Sequence, residues 1–136
     1  MYDTLLFLHV LSAFALVATV AIYSAFALGA APDLRVLMVG RVLWAAGGLG
    51  TLVFGIWLAI YLQNYELWDG WIIAAVVLWA IATEVGRRAE VGYTALGGTA
   101  PGAGAAAGAE RAALMHWLRS LLVLALIVVM IYKPGA

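Results

Sequence analysis

The chain contains no cysteine. Disulfides, thiolate metal sites and cysteine nucleophiles are therefore excluded, and any metal would have to be held by His, Met or carboxylate. Charge is scarce as well. Only 10% of the 136 residues are charged, against about a quarter in soluble domains, and seven basic residues balance seven acidic ones. The basic residues form neither a run nor a stripe, so the electrostatic footprint that grips phosphate backbones is missing and no nucleic-acid partner is expected. There is no nucleophile elbow, no pair of histidines one turn apart and no close carboxylate pair within an apolar run. Met1, Met38, Met115 and Met130 are scattered, whereas copper handling clusters Met or Cys.

What the chain does have is hydrocarbon. Apolar residues make up 67% of it, more than a water-soluble core can absorb. They fall into four runs, each supplying the roughly 20 residues of helix that cross a bilayer. The composition predicts an all-α integral membrane protein with helices over about 4–28, 34–63, 68–90 and 110–133. The first run is too long for a secretory leader and no Lys or Arg precedes it, so it reads as a retained helix. Gly29, Pro32 and Asp33 close the first connection, and Asn64, Glu66 and Asp69 make an acidic turn. A Gly/Ala-rich stretch over about 95–109, with Pro101 inside it, reads as a mobile linker. Short connections favour one domain, an antiparallel four-helix bundle.

Arg35, Arg41, Arg87, Arg88 and Arg111 flank the first and third connections, whereas Lys133 alone lies on the side of the termini. The excess of positive charge predicts that both termini face outward, and the expected location is the bacterial inner (cytoplasmic) membrane, crossed several times. Tyr2, Tyr61, Tyr65, Trp68, Trp71 and Tyr132 fall at the outer boundary as an aromatic belt. On the second helix Arg41, Ala45, Gly48, Gly55 and Ala59 fall within about 40 degrees of one another, a seam that admits a neighbouring backbone and carries Arg41 inward.

Ionisable groups inside such runs each cost about 2.5–3.5 kcal/mol at the bilayer centre, so they are the candidates for function. Arg41, Glu84, His116 and Arg119 all lie roughly 8–13 Å from the inner boundary at 1.5 Å per residue, which predicts a buried polar cluster. Two readings stand for Glu84: counter-ion to Arg41 or Arg119 in the interior, or partner of Arg88 one turn on at the surface. On the first helix His9, Ser12, Thr19 and Tyr23 form a polar stripe; Ser and Thr there can bond the carbonyl one turn back, but His9 needs a partner of its own. His9 and His116 should differ in height by roughly 12–15 Å, too far to clamp one iron between them. A haem would take His9 with an outer-half group such as Met130, or His116 with an inner-half group, with Arg119 suited to an anion or a propionate.

The opening LLFLHVLSAFA (residues 5–15) and the ending LRSLLVLALIVVMIYKPGA (residues 118–136) resemble small four-helix integral membrane proteins of unknown function. These in turn are similar to the copper-resistance D proteins and the membrane protoporphyrinogen oxidases. The resemblance implies a four-helix membrane unit in which His9 takes the place of the first-helix histidine proposed to contact haem or metal.

Three classes of function follow. One is a haem- or porphyrin-binding redox protein using His9, His116, Arg119 and Met130. A second is a transporter of a small solute or proton with Glu84 as the titrating group, which requires a homo-oligomer because four helices leave little room for a pore. The third is a structural or accessory membrane subunit in which the polar groups are packing devices.

Overall fold

Local chemistry fixes where the helices start and stop. A computed structural model describes residues 1–62, 66–98, 102 and 104–133, and shows an all-helical chain. The first helix, α1 (Tyr2–Ala27), ends at Gly29, whose φ of 108° is open to glycine and strained for other residues. The N–H of Ala30 reaches back to the carbonyl of Ala25 at 3.0 Å and closes that end. Asp33 then caps α2 (Leu34–Leu62): its Oδ1 accepts the N–H groups of Arg35 at 2.7 Å and Val36 at 3.3 Å. Asp69 stands before α3 (Gly70–Gly97), and α4 (Ala105–Tyr132) ends at Lys133 in the left-handed conformation.

The Gly/Ala-rich connection is shorter than its composition suggests. The third helix runs on to Gly97 and the fourth begins at Ala105, so both enter the stretch expected to be linker. Alanine is the best helix former, and the added turns also pack on each other: a Cβ at Gly108 would stand 3.7 Å from Leu96 Cδ2. Residues 99–101 and 103, with Pro101 among them, lie outside the described residues, as do Asn64, Tyr65, Pro134 and Gly135.

Each helix is long and apolar enough to cross a membrane. With 26 to 29 residues apiece they reach roughly 39–44 Å, beyond the ~30 Å of a hydrocarbon core. They form an up-down-up-down bundle in which α1 packs chiefly on α2 and α3 on α4. Register follows the antiparallel rule. Tyr23 late in α1 meets Gly40 early in α2, His9 meets Gly55, and Gly86 and Gly92 of α3 meet Arg119 and Ala112 of α4 in falling order.

Sidedness is the inverse of a water-soluble bundle. Large apolar side chains such as Phe7, Phe14, Val42, Leu49, Leu121 and Ile131 point outward, compatible with lipid. The interior combines small residues, Ala59, Ala75, Ala82, Ala89 and Ala112, with the rings of Tyr23, Phe26 and Tyr93, around buried Thr19, Thr51, His116 and Arg119. The small-residue seam on α2 turns toward two neighbours, with Gly48 against the Trp79 indole of α3 and Gly55 against the His9 ring of α1. Arg41 does not follow it inward, because its guanidinium reaches Glu90 at the surface and its side chain stays 64% exposed. Trp71, expected in the boundary belt, is buried beneath the Lys133 ammonium, which lies 5.5 Å from its ring centroid.

Candidate functional site

Two cavities, one toward each end of the bundle, collect the polar side chains. The first, about 250 Å³, lies toward the end that carries the termini and is walled by all four helices. His9 lines it from α1, Thr51 and Gly55 from α2, Trp71 and Trp79 from α3, and Met130 from α4. His9 Nδ1 is 3.0 Å from the carbonyl oxygen of Thr51. A carbonyl only accepts, so the ring proton is on Nδ1, and Nε2 keeps its lone pair. The ring lies flat enough on α2 for this bond because position 55 is glycine: a Cβ there would stand 2.9 Å from His9 Cε1. An imidazole whose distal N–H is fixed by a backbone carbonyl is the form in which histidine ligates metals.

His116 is arranged oppositely. It is fully buried, stacked on the Tyr23 ring at 6.2 Å between centroids and 21° between planes. Its Nδ1 is 3.1 Å from Nη2 of Arg119, and a guanidinium only donates, so Nδ1 accepts. Ser24 Oγ donates to the carbonyl of Val20 at 2.8 Å and Ser120 Oγ to that of His116 at 3.0 Å, which commits both hydroxyl protons. The Nε2–H of His116 therefore donates to Ser24 Oγ at 2.9 Å. Both ring nitrogens are engaged, and His9 carries the other tautomer.

Arg119 is 2% exposed. Its Cζ lies 4.4 Å from the centroid of the Tyr23 ring and 5.0 Å from that of Trp44, a cation held by aromatic faces. Gly86 makes room for it, since a Cβ there would stand 2.6 Å from Arg119 Cδ. Among the described residues no carboxylate forms an ion pair with Arg119. It lines the second cavity, about 310 Å³, together with Thr83, Arg41, Arg87 and Glu90.

Of the expected four-residue polar cluster, the structure brings together His116 and Arg119, sets Arg41 at the edge of the same cavity and leaves Glu84 outside. Glu84 is bonded at 2.8 to 2.9 Å to Arg87 and Arg88 on its own helix, with its side chain 46% exposed. Surface donors one turn away hold a carboxylate without the desolvation that entry to the interior would cost, so the surface reading of Glu84 is the one found. The transport reading loses its interior titrating group with it. His9 and Met130 line one cavity, and His116 does not join them.

Glu90 and Ser24 were missed as partners. Glu90 seemed the end of the third helix, whereas α3 continues two turns further and sets it across from Arg41. Ser24 sits one residue past the polar stripe on α1, and only its closeness to α4 reveals it.

Buried polar atoms without a hydrogen-bond partner gather at these cavities. Thr51 Oγ1 and Trp79 Nε1 belong to residues lining the first, and Thr83 Oγ1 and Arg119 Nε to residues lining the second. Native proteins satisfy the large majority of such groups, so these are positions in the bundle interior that lack a polar partner. Among the described residues no group of three or more His, Asp or Glu converges as a ready metal cage. Compared with known proteins, the chain matches no family model, no curated protein and no solved structure.

Proposed function

We propose that this is a multi-pass membrane protein, its termini outward, that binds haem or a related porphyrin through His9 in the cavity at its outer end. One observation carries the reading: His9 Nδ1–H is anchored on the Thr51 carbonyl, which leaves the Nε2 lone pair on a ring that lines the cavity. The donor set fits the group in kind. An imidazole with a fixed distal N–H is joined by the thioether of Met130, by the Trp79 indole and by apolar walls. At about 250 Å³ the cavity is slightly smaller than the ~300–1,000 Å³ that encloses a drug-sized ligand, so it takes an edge of a macrocycle. A haem held there supplies one-electron chemistry near the outer face.

The chain's own contributions are to bind, to orient and to keep water away. Thr51 fixes the tautomer and the ring plane of His9, Gly55 lets the ring approach α2, and Leu6, Leu16 and Leu126 exclude solvent. His116, with both nitrogens engaged, serves Arg119 instead. A purely structural role for the polar groups is disfavoured by the unpartnered Thr51 and Trp79 atoms, because packing devices are normally satisfied.

The test is the absorption of protein purified from haem-replete cells. A Soret band is expected, lost in His9→Ala and retained in His116→Gln. A colourless folded protein, or a band indifferent to His9→Ala, overturns the proposal.

A further inference from the structure

The second cavity makes a separate demand. A guanidinium 2% exposed, with an unpartnered Nε and no carboxylate in ion-pair contact, faces a space of about 310 Å³. Burying a charge costs several kcal/mol unless it is compensated, and two aromatic faces offset only part of that. Of the three lining arginines, Arg41 is paired with Glu90 and Arg87 with Glu84, so Arg119 is the lining cation left without a carboxylate. Thr83 adds a hydroxyl without a partner. The cavity lies mainly between α2 and α3; its Arg41 and Glu90 edge is about two turns from the helix ends, and its Thr83 and Arg119 edge springs from the middle of α3 and α4.

From this geometry we infer that the second cavity is a phosphate-binding site, with Arg119 as the buried anchor, Thr83 as a hydroxyl donor and Arg41 and Arg87 at the rim. Arginine suits phosphate oxygens because its planar fork offers parallel N–H donors, and two of those on Arg119 are spoken for only by His116 and by ring faces. His116 positions the anchor: its Nδ1 accepts from Nη2, and the Nε–H of Arg119 is left without a partner. The phosphate can arrive as the headgroup of an anionic phospholipid or as a soluble ion, entering past the exposed Arg41 side chain, whose edge of the cavity is the nearer one to the helix ends. This site is independent of any porphyrin at the other end.

The experiment is a thermal-shift titration of the purified chain in a neutral detergent, with three probes: short-chain phosphatidylglycerol, short-chain phosphatidylcholine and inorganic phosphate. Saturable stabilisation by phosphatidylglycerol at least tenfold tighter than by phosphatidylcholine is expected. Affinity should fall tenfold or more in Arg119→Met and several-fold in Thr83→Val, and be unchanged in Glu66→Gln. Inorganic phosphate that binds and is lost in the same variants upholds the site and names a soluble source; phosphatidylglycerol alone names the lipid. Should Arg119→Met fail to fold, Thr83→Val decides, because its hydroxyl has no native partner to lose. Equal response to all three probes, no response, or wild-type affinity in Thr83→Val and Arg119→Met overturns the inference.

Discussion

Gly55→Ala separates ligand binding from stability. A methyl group there would stand 2.9 Å from Cε1 and 3.2 Å from Nδ1 of His9. Carbon–carbon contact is comfortable at about 3.5–4.0 Å, so the ring must retreat by roughly 0.6–1.1 Å. The Nδ1 to Thr51 oxygen distance, 3.0 Å at rest, is thereby driven toward or past the length at which a hydrogen bond ceases to exist. Losing that bond costs about 0.5–1.5 kcal/mol, and alanine within a helix returns about 0.8–1.0 kcal/mol relative to glycine. Thermal stability should change by well under ~1 kcal/mol. A histidine freed from its outer hydrogen-bond partner loses about 10–100-fold in metal affinity, so haem binding should fall by that factor.

Two readouts check this. Nitrogen-15 spectra of histidine-labelled protein in micelles should show opposite tautomers in the native chain, Nδ1–H for His9 and Nε2–H for His116, and Gly55→Ala should disturb only the first. Haem titration followed at the Soret band supplies the second. An undisturbed His9 spectrum with haem affinity within twofold of native refutes the reasoning. So does a stability loss above ~2 kcal/mol, which would mean that Gly55 serves backbone packing and not the ring.

At Gly47 the obstacle is backbone: a Cβ would stand 2.8 Å from the Ser12 carbonyl oxygen and 3.0 Å from Leu16 N. Gly47→Ala should therefore cost about 1–3 kcal/mol by unfolding in mixed micelles, while Gly108→Ala, which meets only Leu96 at 3.7 Å, gains up to ~1 kcal/mol; equal effects would sink the claim of a tight α1–α2 seam. Glu84→Gln should leave stability and haem binding unchanged, since its partners are exposed arginines on the same helix. A marked loss in either assay would restore Glu84 to the interior.

Much of the fold was legible because hydrocarbon runs obey a length rule and glycine, proline and aspartate mark their ends. The α3–α4 connection was misread in extent because Ala and Gly together look like linker, whereas three successive alanines at 105–107 are helix when a partner helix lies alongside. For the site, depth along a helix could be read from residue number, so His116 and Arg119 were placed at one level. Azimuth across helices could not. Glu84 and Glu90 differ by six residues and by which arginines they reach, and that choice depends on crossing geometry that a single sequence does not encode. The tautomers were beyond reach too, since each follows from a carbonyl, a serine or a guanidinium on a neighbouring turn or helix.

The two ends of the bundle share one device: α1 faces α2 through glycine at each polar contact. As α1 descends from Tyr23 through Ser12 to His9, α2 climbs from Gly40 through Gly50 to Gly55, and each α1 side chain occupies the space a Cβ would have taken. Close approach lets α2 backbone carbonyls act as acceptors for α1: Gly40 for the Thr19 hydroxyl at 3.3 Å, Thr51 for His9. What differs is the remaining pair of helices. At the end that carries the termini α3 and α4 offer Trp79 and Met130, soft and uncharged, and the imidazole is left with a lone pair. Toward the opposite end α4 offers Arg119 and His116, and the aromatic ring of Tyr23 is left facing a cation. On the two proposals, one seam of glycines would support a site for an electron-pair acceptor at one end of the bundle and a site for an anion at the other, so variants at Gly55 and at Thr83 should fail independently.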